Sequence, residues 1–208
     1  MRNIQEEAAN QRSYHHGDLR RALIDAARRL LEAEGPAALS LRAVAREAGV
    51  SPAAPYHHFK DKDALLDAVA QQGWAELSES LNGSGGADAT GGRTGNLGVA
   101  YVKFAMANPA LYRLMYDVAR EREALPEHEE HERGFNRLRE TLIAAGADPN
   151  DKITLELAAI AAWCSAHGLA EMASFKQFQP LKDAVGGEEA FLRGVFEHMG
   201  VLGWGCNE

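Results

Sequence analysis

The side chains best equipped for chemistry in this 208-residue chain are not a catalytic set. They are a group of anion and base-edge binders between residues 40 and 62. Ser51 and Tyr56 offer hydroxyl groups and Lys62 an ammonium, all suited to phosphate oxygens, contacts that set register on a duplex without reading its sequence. The guanidinium fork of Arg42 matches the paired acceptors of guanine in the major groove. Ala53 and Ala54 are small enough for close approach and for contact with a thymine methyl, and His57 shares their exposed face. Phe59, in the same stretch, is expected to pack in the core.

A second group points to small-molecule binding. Trp163 and His167 lie four apart on one helical face with Ile160 alongside, a pocket wall with one polar anchor. Phe104, Met106, Tyr112, Met115 and Tyr116 are further lining candidates, although the same residue types at helical spacing also build ordinary cores. His128 and His131 stand at i, i+3 and could bind zinc, but the carboxylates around them favour a solvated charged helix, and no metal is expected. No nucleophile, base and orienter come together. The glycines of residues 82–98 do not sit between a strand and a helix, so no nucleotide loop forms there. Neither enzymatic activity nor a cofactor is expected.

Composition fits this picture. Hydrophobic residues are 46% and charged residues 25%, ordinary values for a globular chain. No run approaches eighteen consecutive apolar residues, so no membrane span is expected. The N-terminus is polar, without the apolar stretch and cleavage site of a secretory signal. Two cysteines, Cys164 and Cys206, cannot make a disulfide framework and fit a reducing cytoplasmic setting. The net charge is -8, but it is unevenly spread. Residues 1–60 hold nine Lys/Arg against seven Asp/Glu, whereas residues 61–208 hold thirteen against twenty-three. One end can face phosphate while the other faces something else.

Helices must position these groups. Residues 1–17 show no apolar period and are expected as a flexible arm, with His15 and His16 in solvent. From an Asp18 cap, Leu19, Leu23, Ala26, Ala27, Leu30 and Leu31 form one stripe, which Gly35-Pro36 stops. Ser40 caps a short helix whose apolar face is Leu41, Val44, Ala45 and Ala48. Gly49 breaks it, Ser51 caps again, and a third helix runs from Pro52 to His58. Asp61 caps a fourth, with Leu65, Leu66, Val69, Gly73 and Leu77 buried and Trp74 beside them. Residues 82–98 carry seven glycines and are expected as a flexible loop. Five helical segments follow: Val99–Ala107, a segment capped by Asn108-Pro109, Pro126–Ala145, a long one from Asp148-Pro149 to about Phe175, and Glu188–Leu202. The expected fold is all-α with nine helices.

Residues 40–59, SLRAVAREAGVSPAAPYHHF, thus read as a helix-turn-helix whose second helix enters a major groove. An ordinary helical hairpin has the same spacing; the exposed chemistry separates the two. The stretch from Leu19 to Leu66 resembles the TetR family of bacterial transcriptional regulators. The residues that carry the resemblance are Leu39–Leu41, Val44-Ala45, Ala48-Gly49-Val50-Ser51, Tyr56–Lys60 and Lys62–Leu66. It implies phosphate contacts from Ser40, Ser51, Tyr56 and Lys62, and places Arg42, Ala53, Ala54 and His57 on or near the bases. The chain departs from the family pattern at Ala53, Ala54 and Pro55, where larger or polar residues are usual. The Trp163-x-x-x-His167-Gly168 run resembles the Trp-His-Gly C-terminal domain found in a subset of that family, over roughly residues 98–202.

The expected organisation is an arm at 1–17, a DNA-binding domain at 18–64 and an effector-binding and dimerisation domain at 65–208. Phe191, Leu192, Val195, Phe196, Met199 and Leu202 make a broad apolar stripe, so a homodimer is expected through the last two helices. The expected partners are a palindromic double-stranded DNA operator and a small-molecule effector, and the expected role is a repressor released by that effector. The competing reading is a helical small-molecule-binding protein or enzyme with a nonfunctional helix-turn-helix.

Overall fold

The computed structural model describes the backbone of residues 4–84, 93–121 and 129–203, and the side chains of 19–84, 95–121 and 133–199. Among the described residues the fold is all-α, as expected: nine α-helices, three short 3-10 turns and no strand. The helices are α1 (Ile4–Glu34), α2 (Leu41–Glu47), α3 (Lys62–Gly83), α4 (Arg93–Ala107), α5 (Pro109–Glu121), α6 (Glu129–Ala144), α7 (Lys152–Met172), α8 (Gln179–Val185) and α9 (Glu188–Gly203). They form two compact units, Met1–Gly73 with Pro109–Ala124, and Trp74–Asn108 with Leu125–Glu208. The boundary between these units falls within α3, and α5 lies in the unit that holds the helix-turn-helix.

The first unit is built on the stripe read from the sequence. Leu23, Ala26, Ala27, Leu30 and Leu31 are buried along α1, and Leu41, Val44 and Ala45 are buried along α2. Phe59, Leu65 and Val69 join this core, with Leu111 and Met115 from α5. The expected start of α1 at Asp18 is corrected, because the helix reaches back to Ile4. Residues 4–17 lack an apolar stripe, but Ala, Glu, Gln and Arg are good helix formers. Extending a helix that already exists costs far less than nucleating one.

The expected third helix, Pro52–His58, is also corrected. It is a 3-10 turn over Ala54–His57, and no side chain caps it. Pro55 has no N–H to give and obstructs the preceding turn, so the chain uses shorter bonds. Ala54 N donates to Ser51 O at 3.0 Å, Tyr56 N to Ala53 O at 3.2 Å and His58 N to Pro55 O at 2.9 Å.

In the second unit the expected loop at 82–98 shrinks from both sides, because α3 continues to Gly83 and α4 begins at Arg93. The residues between 85 and 92 lie outside those described. Leu97 and Val99 are buried, which pulls this end of α4 into the core. α7 starts after Asp151, which caps it by accepting from Thr154 N at 3.1 Å and from Thr154 Oγ1 at 2.7 Å. Phe135 and Leu138 of α6 turn inward beside Leu142, Leu155 and Ala159.

α8 has no counterpart in the sequence reading. Its pattern is inverted: Leu181 and Val185 are exposed while Lys182 is buried. The Lys182 ammonium pairs with Glu188 at 3.3 Å and lies 5.8 Å from the centre of the Phe191 ring.

Candidate nucleic-acid interface

The turn between α2 and the 3-10 segment is fixed by backbone chemistry. Gly49 sits at φ 70°, in the left-handed region that glycine enters without steric cost. Val50 N donates to Ala45 O at 2.9 Å and Gly49 N to Arg46 O at 3.1 Å, the paired bonds that close a helix C-terminus. Ser40 caps the other end of α2 by accepting from Ala43 N at 3.1 Å. That bond uses an acceptor lone pair and leaves its O–H available to donate. Asp61 caps α3 by accepting from Ala64 N at 2.8 Å.

With the ends fixed, the side chains sort cleanly. Ser40, Arg42, Ser51, Ala53, Tyr56 and His57 are exposed, and Ala54 and Lys62 are half-buried. Tyr56 leaves 55% of its surface open even though Pro55 and Phe59 on either side are buried. The guanidinium of Arg20 covers Phe59, 5.3 Å from the ring centre. Arg29 Nε donates to Glu47 Oε1 at 2.9 Å and braces α1 against α2. Lys62 Nζ donates to the carbonyl of Pro36 at 3.2 Å. All eight residues expected at DNA thus lie in one stretch of one unit, and a brace of buried residues and ion pairs supports them.

The candidate effector residues divide between the units, and Met115 is fully buried in the first. In the first unit Tyr112 is buried and meets half-buried Tyr116 edge-on, with ring centres 5.0 Å apart. In the second, Phe104 is buried, and Met106, Trp163 and His167 are half-buried. Trp163 meets Phe135 edge-on at 5.6 Å. His167 Nδ1 lies 3.4 Å from the hydroxyl of Tyr101. Tyr101 was not singled out from the sequence, although its place three residues before Phe104 puts it on the same helical face. Ile160, expected beside Trp163, instead faces outward and is 45% exposed.

Residues 23–69 match the bacterial regulatory proteins of the tetR family, and residues 95–195 match the tetracyclin repressor-like C-terminal domain. The chain belongs to the TetR family. It is a DNA-binding transcriptional regulator by class. Among solved structures, a protein of unknown function from Rhodococcus sp. RHA1 is 32% identical. The match covers 89% of this chain and 95% of that one, with a TM-score of 0.67. A tetR-family regulatory protein from Rhodococcus RHA1 shares the fold at 20% identity and a TM-score of 0.64, covering 91% of this chain and 98% of that one. The multidrug binding protein EbrR, solved with imidazole, shares it at 24% identity and a TM-score of 0.56, covering 89% and 91%.

Other features of this TetR-family chain bear on assembly. Ile153, Leu157 and Ile160 are exposed along α7, as is Cys164 one turn on. α7 is the one described helix long and apolar enough to cross a membrane by length and composition, yet only 22% of its most apolar window is buried within the protomer. Phe191 and Leu192, expected to line a dimer interface, are buried inside their own subunit. Val195 and Phe196 are half-buried, Met199 is exposed, and the side chain of Leu202 lies outside those described. The described residues hold no cluster of three or more metal-ligating side chains; those of His128 and His131 are not among them.

Proposed function

We propose that this TetR-family regulator is a homodimeric repressor that grips a twofold-symmetric operator and releases it when a small molecule binds. The observation that carries the reading is the sorting of residues 51–59. The chain presents Ser51, Ala53, Tyr56 and His57 to solvent while Pro55 and Phe59 anchor the segment below. A rigid, exposed segment beside a capped helix is what major-groove entry requires. Ser40, Ser51, Tyr56 and Lys62 hold phosphates, and Arg42, Ala53, Ala54 and His57 meet base edges.

Dimerisation places two such segments on one duplex. The exposed stripe of Ile153, Leu157 and Ile160 gives α7 an apolar face that a second copy can cover isologously. This centres the proposed interface on α7, one of the two helices expected to form it, rather than on the apolar stripe of α9. The recognition segments then lie about 34–36 Å apart, one helical turn of DNA.

The effector acts by differential affinity for two spacings of those segments. Phe104, Met106, Trp163 and His167 of the second unit are its proposed contacts. The fold shared with the multidrug binding protein EbrR supports a ligand-binding second unit. α3 contributes residues to both units and is the proposed lever.

A footprint on genomic fragments retained by the protein tests this reading. It predicts two protected half-sites one turn apart. Leu157→Glu should give a folded monomer by sedimentation and remove the footprint. A protected site without twofold symmetry, or a Leu157→Glu protein that stays dimeric, contradicts it.

A further inference from the structure

Three observations within the first unit concern α5. Leu111 N donates to Glu32 Oε1 at 3.1 Å, joining residues 79 apart in sequence. Leu111 is in the first turn of α5, where N–H groups have no acceptor in their own helix. The positive end of the helix adds to their attraction for a carboxylate. Glu32 lies in the last turn of α1, the helix that carries the helix-turn-helix core. The second observation is the approach of α3 to α5. A Cβ on Gly73 would fall 2.6 Å from Met115 Sδ and 3.1 Å from Leu111 Cδ1, so no larger residue fits without displacement. The third is burial: Leu111 and Met115 are each fully enclosed.

We infer that Glu32 is a positioning residue that latches α5 to α1, so that α5 moves as part of the DNA-binding unit. A displacement of α5 then reaches the unit of the recognition segment through this latch, beside the packing of α5 on α3 at Gly73. The consequence for regulation rests on the DNA-binding reading above. The latch itself is a property of the free protein.

Native-state hydrogen exchange on the full chain tests it. In the free wild type, the amides of Leu114 and Met115 should open together with those of Val44 and Ala45, with the same denaturant dependence. Glu32→Ala should speed exchange in α5 by about tenfold or more and leave α2 unchanged. Glu32→Gln keeps an acceptor oxygen and should restore the wild-type rates. Gly73→Ala should free α5 by the separate route of displacing Met115. Equal α5 rates in wild type and Glu32→Ala overturn the latch, and so does equal acceleration of α2 and α5.

Adding the duplex from upstream of the gene separates the latch from the DNA-binding reading. Bound DNA should slow α5 exchange in wild type and Glu32→Gln but not in Glu32→Ala. Bound DNA that leaves wild-type α5 exchange unaltered overturns the coupling. If the duplex binds no variant at low salt, the DNA-binding reading fails, and the rates in free protein decide the latch alone.

Discussion

Lys62 Nζ reaches the carbonyl oxygen of Pro36 at 3.2 Å and ties the first residue of α3 to the turn that follows α1. An ammonium has three donors, so this bond leaves capacity for a phosphate. Lys62→Met should weaken binding to every duplex about equally. It should also reduce the slope of log affinity against log salt by about 0.9. The bond is exposed, so stability should change by less than about 1 kcal/mol. A salt titration of both proteins checks this; an unaltered slope places Lys62 outside the interface.

Arg42 and Tyr56 should behave differently from each other. Arg42→Ala should cost about 1–3 kcal/mol at the preferred site and relax the choice at one base position. Tyr56→Phe removes only a hydroxyl and should weaken all sequences alike. Binding to a set of single-base operator variants distinguishes the two. A uniform loss for Arg42→Ala would make it another phosphate contact.

Gly98 is a packing requirement of the second unit. A Cβ there would lie 2.5 Å from Phe196 Cζ, with two more ring atoms within 2.8 Å. Gly98→Ala should destabilise by about 1–3 kcal/mol through overpacking. Adding Phe196→Leu should recover part of that loss. Urea midpoints of the two variants check it, and additive losses would mean that the ring does not bear the clash.

Acid should weaken the fold through a small group of carboxylates. The hydrogen bond from Arg139 holds Glu156 below the ordinary carboxylate range. Bonds from Lys103 and then Arg193 do the same for Glu189, and the Thr154 hydroxyl does so for Asp151. A carboxyl with a depressed folded value stabilises the fold above the ordinary range, and that contribution is lost as pH falls through the folded value. The urea midpoint should therefore hold steady from pH 7 to 5 and decline below about pH 4. Arg139→Leu should make the decline shallower. An unchanged decline would assign it to other groups.

The first unit was legible in the sequence because its signals are local. Ser40, Gly49 and Asp61 punctuate the chain, and Leu23 to Leu31 keep a single stripe. The 3-10 turn at Ala54–His57 escaped because the cost of Pro55 depends on how many bonds the segment would otherwise make. α8 escaped because burying Lys182 against Glu188 and Phe191 inverts its pattern, a tertiary effect that no periodicity records. α7 hid its outer face for the opposite reason. Leu155 and Ala159 face inward while Ile153 and Leu157 face outward, and apolar residues on both sides cancel the stripe. The link from Glu32 to Leu111 spans most of a domain in sequence and carries no local signal.

The central claim is that two copies of the Ser40–Lys62 face read one stretch of duplex. A competition titration tests it most directly. Wild-type protein is bound to the retained genomic fragment at physiological salt, then challenged with a shuffled duplex of the same length and composition. The account predicts a preference of about a thousandfold or more, with two subunits per site. Equal competition by the shuffled duplex, or one subunit per site, would contradict it.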